Sequence, residues 1–106
     1  MALYLLHGTY TAEGTTGLLK DGGSKRRAVV QKMVDKAGGK LHAFYYALGE
    51  DDVYAIAEIP DQTTAVAISL AVNASGAVQL KTTALLTPED IDAAAKKSIG
   101  YQAPGA

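Results

Sequence analysis

Proton chemistry near neutral pH falls to two residues of this chain, His7 and His42. The sequence also offers carboxylates at Asp51, Asp52 and Glu58, and phenols at Tyr45, Tyr46 and Tyr54. A histidine oriented by a carboxylate in an apolar cavity is a ready general base, and a phenol beside it can hydrogen-bond a carbonyl or another phenol. His7 is the stronger base candidate, because it stands late in an apolar segment with Asp52 or Glu58 available to orient it. Tyr45 and Tyr54 are the matching donors, and Thr9, Asp52, Ile56 and Glu58 the candidate ligand contacts. The competing reading makes His7 a structural histidine hydrogen-bonded at a subunit face, with Tyr45 and Tyr54 lining that face, Tyr46 in the core and Glu58 in solvent. His42, beside Lys40 at a strand start, reads as a partly wet edge residue.

Other chemistries are expected to be absent. The chain has no cysteine, which excludes disulfides, thiolate nucleophiles and cysteine-held metals. His7 and His42 lack helical i, i+4 spacing and a matched set of carboxylates, so neither a metal site nor a cofactor is expected. A formal net charge of −1 provides no basic footprint for nucleic acid, and the acids of Asp52–Glu58 would repel phosphate. Lys25-Arg26-Arg27 is the sole basic cluster and reads as the solvated first turn of a helix, where an anion near Ser24 is the functional alternative. Gly17–Ser24 lacks the lysine of a phosphate loop. No apolar run of about 18 residues exists to span a membrane, and Met1-Ala2-Leu3-Tyr4 lacks a signal peptide's charged start. A cytoplasmic location is the expectation.

The elements that must position these residues follow from pattern. Leu3–Tyr10 reads as a strand, and Thr11 caps a short helix with Leu18-Leu19 on its inner side. Lys20–Gly23 interrupts it and Ser24 restarts a helix, with Val29, Val30, Met33, Val34 and Ala37 on one face until Gly38-Gly39. Lys40–Pro60 is a β-hairpin rich in aromatic and β-branched residues. Asp61 caps Gln62–Asn73, which alternates like a strand but whose length and alanine content favour helix. Ala77–Leu86 is the last strand. Thr87-Pro88-Glu89-Asp90 starts a final helix with Ile91, Ala94, Ala95 and Ile99 inward. The predicted fold is therefore α+β: a ferredoxin-like βαββαβ unit plus a C-terminal helix. It fills residues 1–99, with 100–106 as a flexible tail.

A hairpin closed through Gly49-Glu50-Asp51-Asp52 pairs Leu48 with Val53, Tyr46 with Ala55, Phe44 with Ala57 and His42 with Ile59, all toward the helices. The opposite face then carries Tyr45, Tyr54, Ile56 and Glu58. With Tyr4, Leu6 and Tyr10 under the helices, His7 and Thr9 join that second face. It is too apolar for free exposure, so a second copy of the sheet is expected to cover it. The expected partner is thus the chain itself, as a dimer or a higher homo-oligomer.

The chain resembles the GYD-domain family of the dimeric α/β-barrel superfamily. The resemblance rests on Tyr4, Gly8-Thr9-Tyr10-Thr11, Gly38-Gly39-Lys40-Leu41, Ala43-Phe44-Tyr45, Gly49-Glu50-Asp51-Asp52, Glu58-Ile59-Pro60-Asp61 and Thr87-Pro88-Glu89-Asp90, spread over residues 2–95. The name reflects Gly, Tyr and Asp in the turn; Gly49 and Asp52 fit, while Asp51 stands where the tyrosine would be. The resemblance implies the ferredoxin-like fold, an antiparallel sheet and dimerisation into an α/β barrel. It implies little about activity, because proteins on this fold include cofactor-independent oxygenases, isomerases, haem enzymes and sensing domains. The functional expectation is binding of a small apolar or aromatic metabolite at the inner face of the sheet, in a pocket inside the barrel or between sheet and helices. The alternative is a cofactor-independent oxygenase or isomerase with His7 as base and tyrosine donors.

Overall fold

The computed structural model describes residues 1–106. In chain order it contains β1 (Ala2–Tyr10), α1 (Ala12–Asp21), α2 (Gly23–Lys36), β2 (Lys40–Tyr46), β3 (Val53–Ile59), α3 (Gln62–Ala74), β4 (Val78–Leu85) and α4 (Pro88–Ala95). The strands form one antiparallel sheet in the order β2-β3-β1-β4, the ferredoxin-like pattern. No helix is long and apolar enough to cross a membrane.

Local chemistry explains the helix boundaries. Thr11, Asp61 and Thr87 each accept a backbone N–H from the first turn of their helices. Thr87 and Asp90 form a reciprocal capping box, with Pro88 opening the helix. Gly22, at φ +86°, separates α1 from α2 in a conformation that glycine adopts without a Cβ penalty. The α3 segment is helical despite its alternation, since the Asp61 cap and the alanine content outweigh the β-branched residues.

The core lies between the sheet and α2 and α3. Tyr4, Leu6, Val34, Ala55, Ala57, Ile59, Ala65 and Ile68 form its buried cluster. Small Ala55 and Ala57 on β3 let the helices approach, and Val34 and Ile59 are fully enclosed.

Four expectations need correction. The hairpin register is displaced by two residues: Tyr46, not Leu48, pairs with Val53, and Phe44 pairs with Ala55. Asp52 is held between two neighbours, its N–H donating to the Gly8 carbonyl of β1 and its carbonyl accepting the Ala47 N–H, each at 2.8 Å, so the connection widens to Ala47–Asp52. Leu48 therefore sits in the loop, fully exposed rather than under the helices. A shift of two preserves side-chain alternation, so Phe44 and Val53 still face the helices. Second, a bulge between Leu41 and Ala43 sends Leu41 to the core and frees His42 from the expected position opposite Ile59. Third, Leu19 of α1 is exposed, since α1 lies at the margin of the sheet. Fourth, α4 buries none of its residues; Ile91 and Ile99 are 54% and 80% exposed. No surface of the same chain covers this arm. The molecule is accordingly long, 59 × 32 × 23 Å, with a radius of gyration of 17.1 Å against about 13 Å for a compact domain of this size.

Candidate functional site

The two faces of the sheet carry two different sets of groups. Cross-strand pairs share a face, so the register alone places His7 with Tyr54 and Lys81, Leu5 with Ile56 and Thr83, and Tyr45 with Tyr54 on the face away from the helices. Thr9 and Glu58 lie there too, opposite Gln79 and Leu3.

His7 is held from both sides. Its Nδ1 lies 2.8 Å from Asp51 Oδ2, and its Nε2 lies 3.1 Å from Thr83 Oγ1. With the ring proton on Nδ1 donated to the carboxylate, Nε2 accepts from the Thr83 hydroxyl. The Tyr54 ring stacks on the imidazole, with centroids 6.0 Å apart and planes 5° from parallel. The Tyr54 phenol is held above its ordinary 10.0, first by partial desolvation and then by the Asp51 charge. It stays a neutral donor across the physiological range.

The expected orienting carboxylates are placed elsewhere. Asp52 Oδ2 accepts the Tyr10 N–H at 2.9 Å, which fastens the loop to the end of β1. Glu58 accepts from His42 Nε2 at 2.8 Å, so the bulged histidine and the strand-end acid form their own pair. The structure thus brings together His7, Tyr45 and Tyr54, leaves Thr9, Ile56 and Glu58 on the same face, and takes Asp52 into a backbone bond. Asp51 and Thr83 are the partners that sequence reasoning missed. Asp51 stood in the Gly49-Glu50-Asp51-Asp52 turn, where aspartates commonly bond their own backbone; Thr83 was findable from the alternation of Lys81, Thr83 and Leu85. No group of three or more His, Asp or Glu side chains is arranged to hold a metal ion.

The apolar pocket lies on the opposite face. Between the sheet and helices α2 and α3 is a cavity of about 130 Å³. Twelve of its thirteen lining residues are hydrophobic, among them Val30, Met33, Phe44, Ile68 and Leu80; the thirteenth is Arg26. Tyr10 also lines the cavity, and its ring neighbours that of Tyr46, centroids 6.4 Å apart. Tyr46 donates its hydroxyl to the Gly23 carbonyl at 3.1 Å, tying β2 to the start of α2. Its phenol is pushed up to about 12, chiefly by burial and then by Tyr10, with the charges of Arg26 and Arg27 acting in the opposite sense. This partly open cavity has the lining to hold a small apolar body.

A single antiparallel sheet, helices on one face and a half-polar second face define an α+β protein of ferredoxin-like pattern. Within that class, a family model for the GYD domain matches residues 4–95, and the chain belongs to that family. No curated protein and no solved structure matches it.

Proposed function

We propose that this protein binds a small apolar or aromatic molecule in the cavity between sheet and helices, and does so as a homodimer closed over the open sheet faces. The observation that carries the binding reading is the cavity itself, about 130 Å³ with an almost wholly apolar lining. A dry cavity of roughly 150 Å³ is enough to take up benzene. The dimer reading rests on Tyr45, 71% exposed in the single chain, on Leu5 and Ile56 of the same face, and on the uncovered arm.

Titration of the protein with benzyl alcohol, followed by the NMR methyl signals of Val30, Met33 and Leu80, tests the first part. Saturable shifts with a millimolar Kd are expected, and Val72→Phe, which fills the cavity, abolishes them while the protein stays folded. Shifts scattered over the surface, or none, would refute the reading. A monomeric mass by light scattering at low micromolar concentration would refute the dimer.

A second reading has one observation in its favour, the 2.8 Å contact between His7 and Asp51. In that reading the protein is a cofactor-independent oxygenase or isomerase, with His7 as base and Tyr45 or Tyr54 as donor. The Thr83 hydroxyl must then leave Nε2 before a substrate proton is taken. Turnover that survives His7→Ala unchanged would eliminate it.

A further inference from the structure

Arg26 occupies an unusual place in its helix. It stands three and four residues before Val29 and Val30, and seven before Met33, so it continues the apolar stripe that α2 turns toward the sheet. A hydrophobic residue is what that position calls for. Arg26 is instead a half-buried residue at the cavity wall. It takes part in none of the chain's three ion pairs, which join His7 to Asp51, Lys25 to Asp21 and His42 to Glu58. No side-chain hydrogen bond satisfies it either.

Two acids, Asp21 and Glu13, line the outer groove that Arg26 also borders. Asp21 is paired with Lys25 at 3.5 Å, and Glu13 pairs with neither Arg26 nor any other cation. On the cavity side Arg26 faces aliphatic carbon and the Tyr10 ring, and its charge reaches the Tyr46 phenol. The guanidinium keeps contact with solvent, and at the edge of this apolar space it offers a planar fork of donors, matched to a carboxylate, that no anion of the chain occupies.

We infer that the cavity is a site for a small monocarboxylate, with an aromatic ring or short branched chain in the apolar space and the carboxylate on Arg26. The inference rests on the proposed binding function and specifies its ligand class. The volume limits the apolar part to about the size of one benzene ring. Arg26 sets specificity, and Val30, Met33, Phe44 and Leu80 supply the packing.

Benzoate and benzyl alcohol share a ring and differ in charge, so they separate the two claims. Wild type is expected to bind benzoate about tenfold more tightly than benzyl alcohol, the ratio that about 1.4 kcal/mol produces. Added salt should reduce that ratio. Arg26→Met should bring benzoate to or below the alcohol while leaving alcohol binding within about twofold, and Arg26→Gln should do the same if methionine refills the cavity. Equal binding of both compounds to wild type, or equal losses for both in the variants, overturns the carboxylate site and leaves apolar binding standing, with Arg26 reduced to a packing stem. If neither compound shifts the cavity methyls, the binding function itself is wrong and the inference falls with it.

Discussion

The two faces of this sheet are built from the same four strands and treat polar groups in opposite ways. On the open face, His7 is paired with Asp51 and Thr83, and His42 with Glu58. The histidines and carboxylates that look reactive in the sequence are already satisfied within the chain. On the helix face nearly everything is apolar, and the single cation at the cavity, Arg26, is left without a partner. The density of functional-looking side chains is therefore a poor guide to where a ligand belongs. A group left unpaired by the chain beside an apolar pocket is a better one, because a ligand can engage it without breaking a bond within the protein.

Truncation of each face measures the contrast most strongly. Ile59, 1% exposed, packs between sheet and helices, so Ile59→Ala should lose about 2–5 kcal/mol in urea denaturation. Leu5→Ala on the open face removes an equal number of carbons from a half-buried site and should lose less than half as much in the monomer. Equal losses would mean that the open face is as well packed as the core.

A smaller effect separates the two histidine pairs. His7 and Asp51 each keep 18% of their side-chain exposure, whereas His42 and Glu58 keep 35% and 34%. Asp51→Asn should cost about 1 kcal/mol of unfolding free energy at neutral pH and Glu58→Gln less than about 0.5 kcal/mol, in keeping with exposed ion pairs. The reverse order would show that the His7 cluster is not the organising polar unit of the open face.

Much of the fold was legible because its signals are local and redundant. Thr11, Asp61 and Thr87 are capping residues in both sequence and structure, and strand alternation assigned Phe44, Val53, Tyr45 and Tyr54 to their faces despite a register error of two. The register itself was not legible. It depends on Asp52 bonding Gly8 and Tyr10, more than forty positions away in the chain, while its carbonyl still holds the Ala47 N–H across the hairpin. The same rearrangement hid the site: once Asp52 is tied to β1, Asp51 becomes the residue that reaches His7. Ile91 and Ile99 misled for a different reason, since an amphipathic helix announces that it wants a surface and not which molecule provides it. Arg26 was visible as a break in the stripe of α2, yet within Lys25-Arg26-Arg27 it read as ordinary solvated charge.

The finest test compares Tyr46 on the helix face with Tyr54 on the open face. Tyr46 is pushed up to about 12 from 10.0, and Tyr54 is raised from the same value, each first by desolvation. A fold that raises a phenol's pKa favours its protonated form. Its stabilisation is fully present below pH 10 and is lost as pH climbs through the folded value, for Tyr46 between about 10 and 12. At pH 9, Tyr46→Phe should be less stable than wild type by about 0.5 kcal/mol, the net value of the lost bond to the Gly23 carbonyl discounted for a residue that is 40% exposed. As pH rises toward 12 the wild type loses this contribution and the variant does not, so the two stability curves converge and then cross. Tyr54→Phe should flatten the alkaline limb less, because its ring stands in the open beside a charge rather than against the start of α2. If Tyr54→Phe flattened it more, the open face would be the drier of the two, and the unpaired cation of the helix face would no longer mark the site.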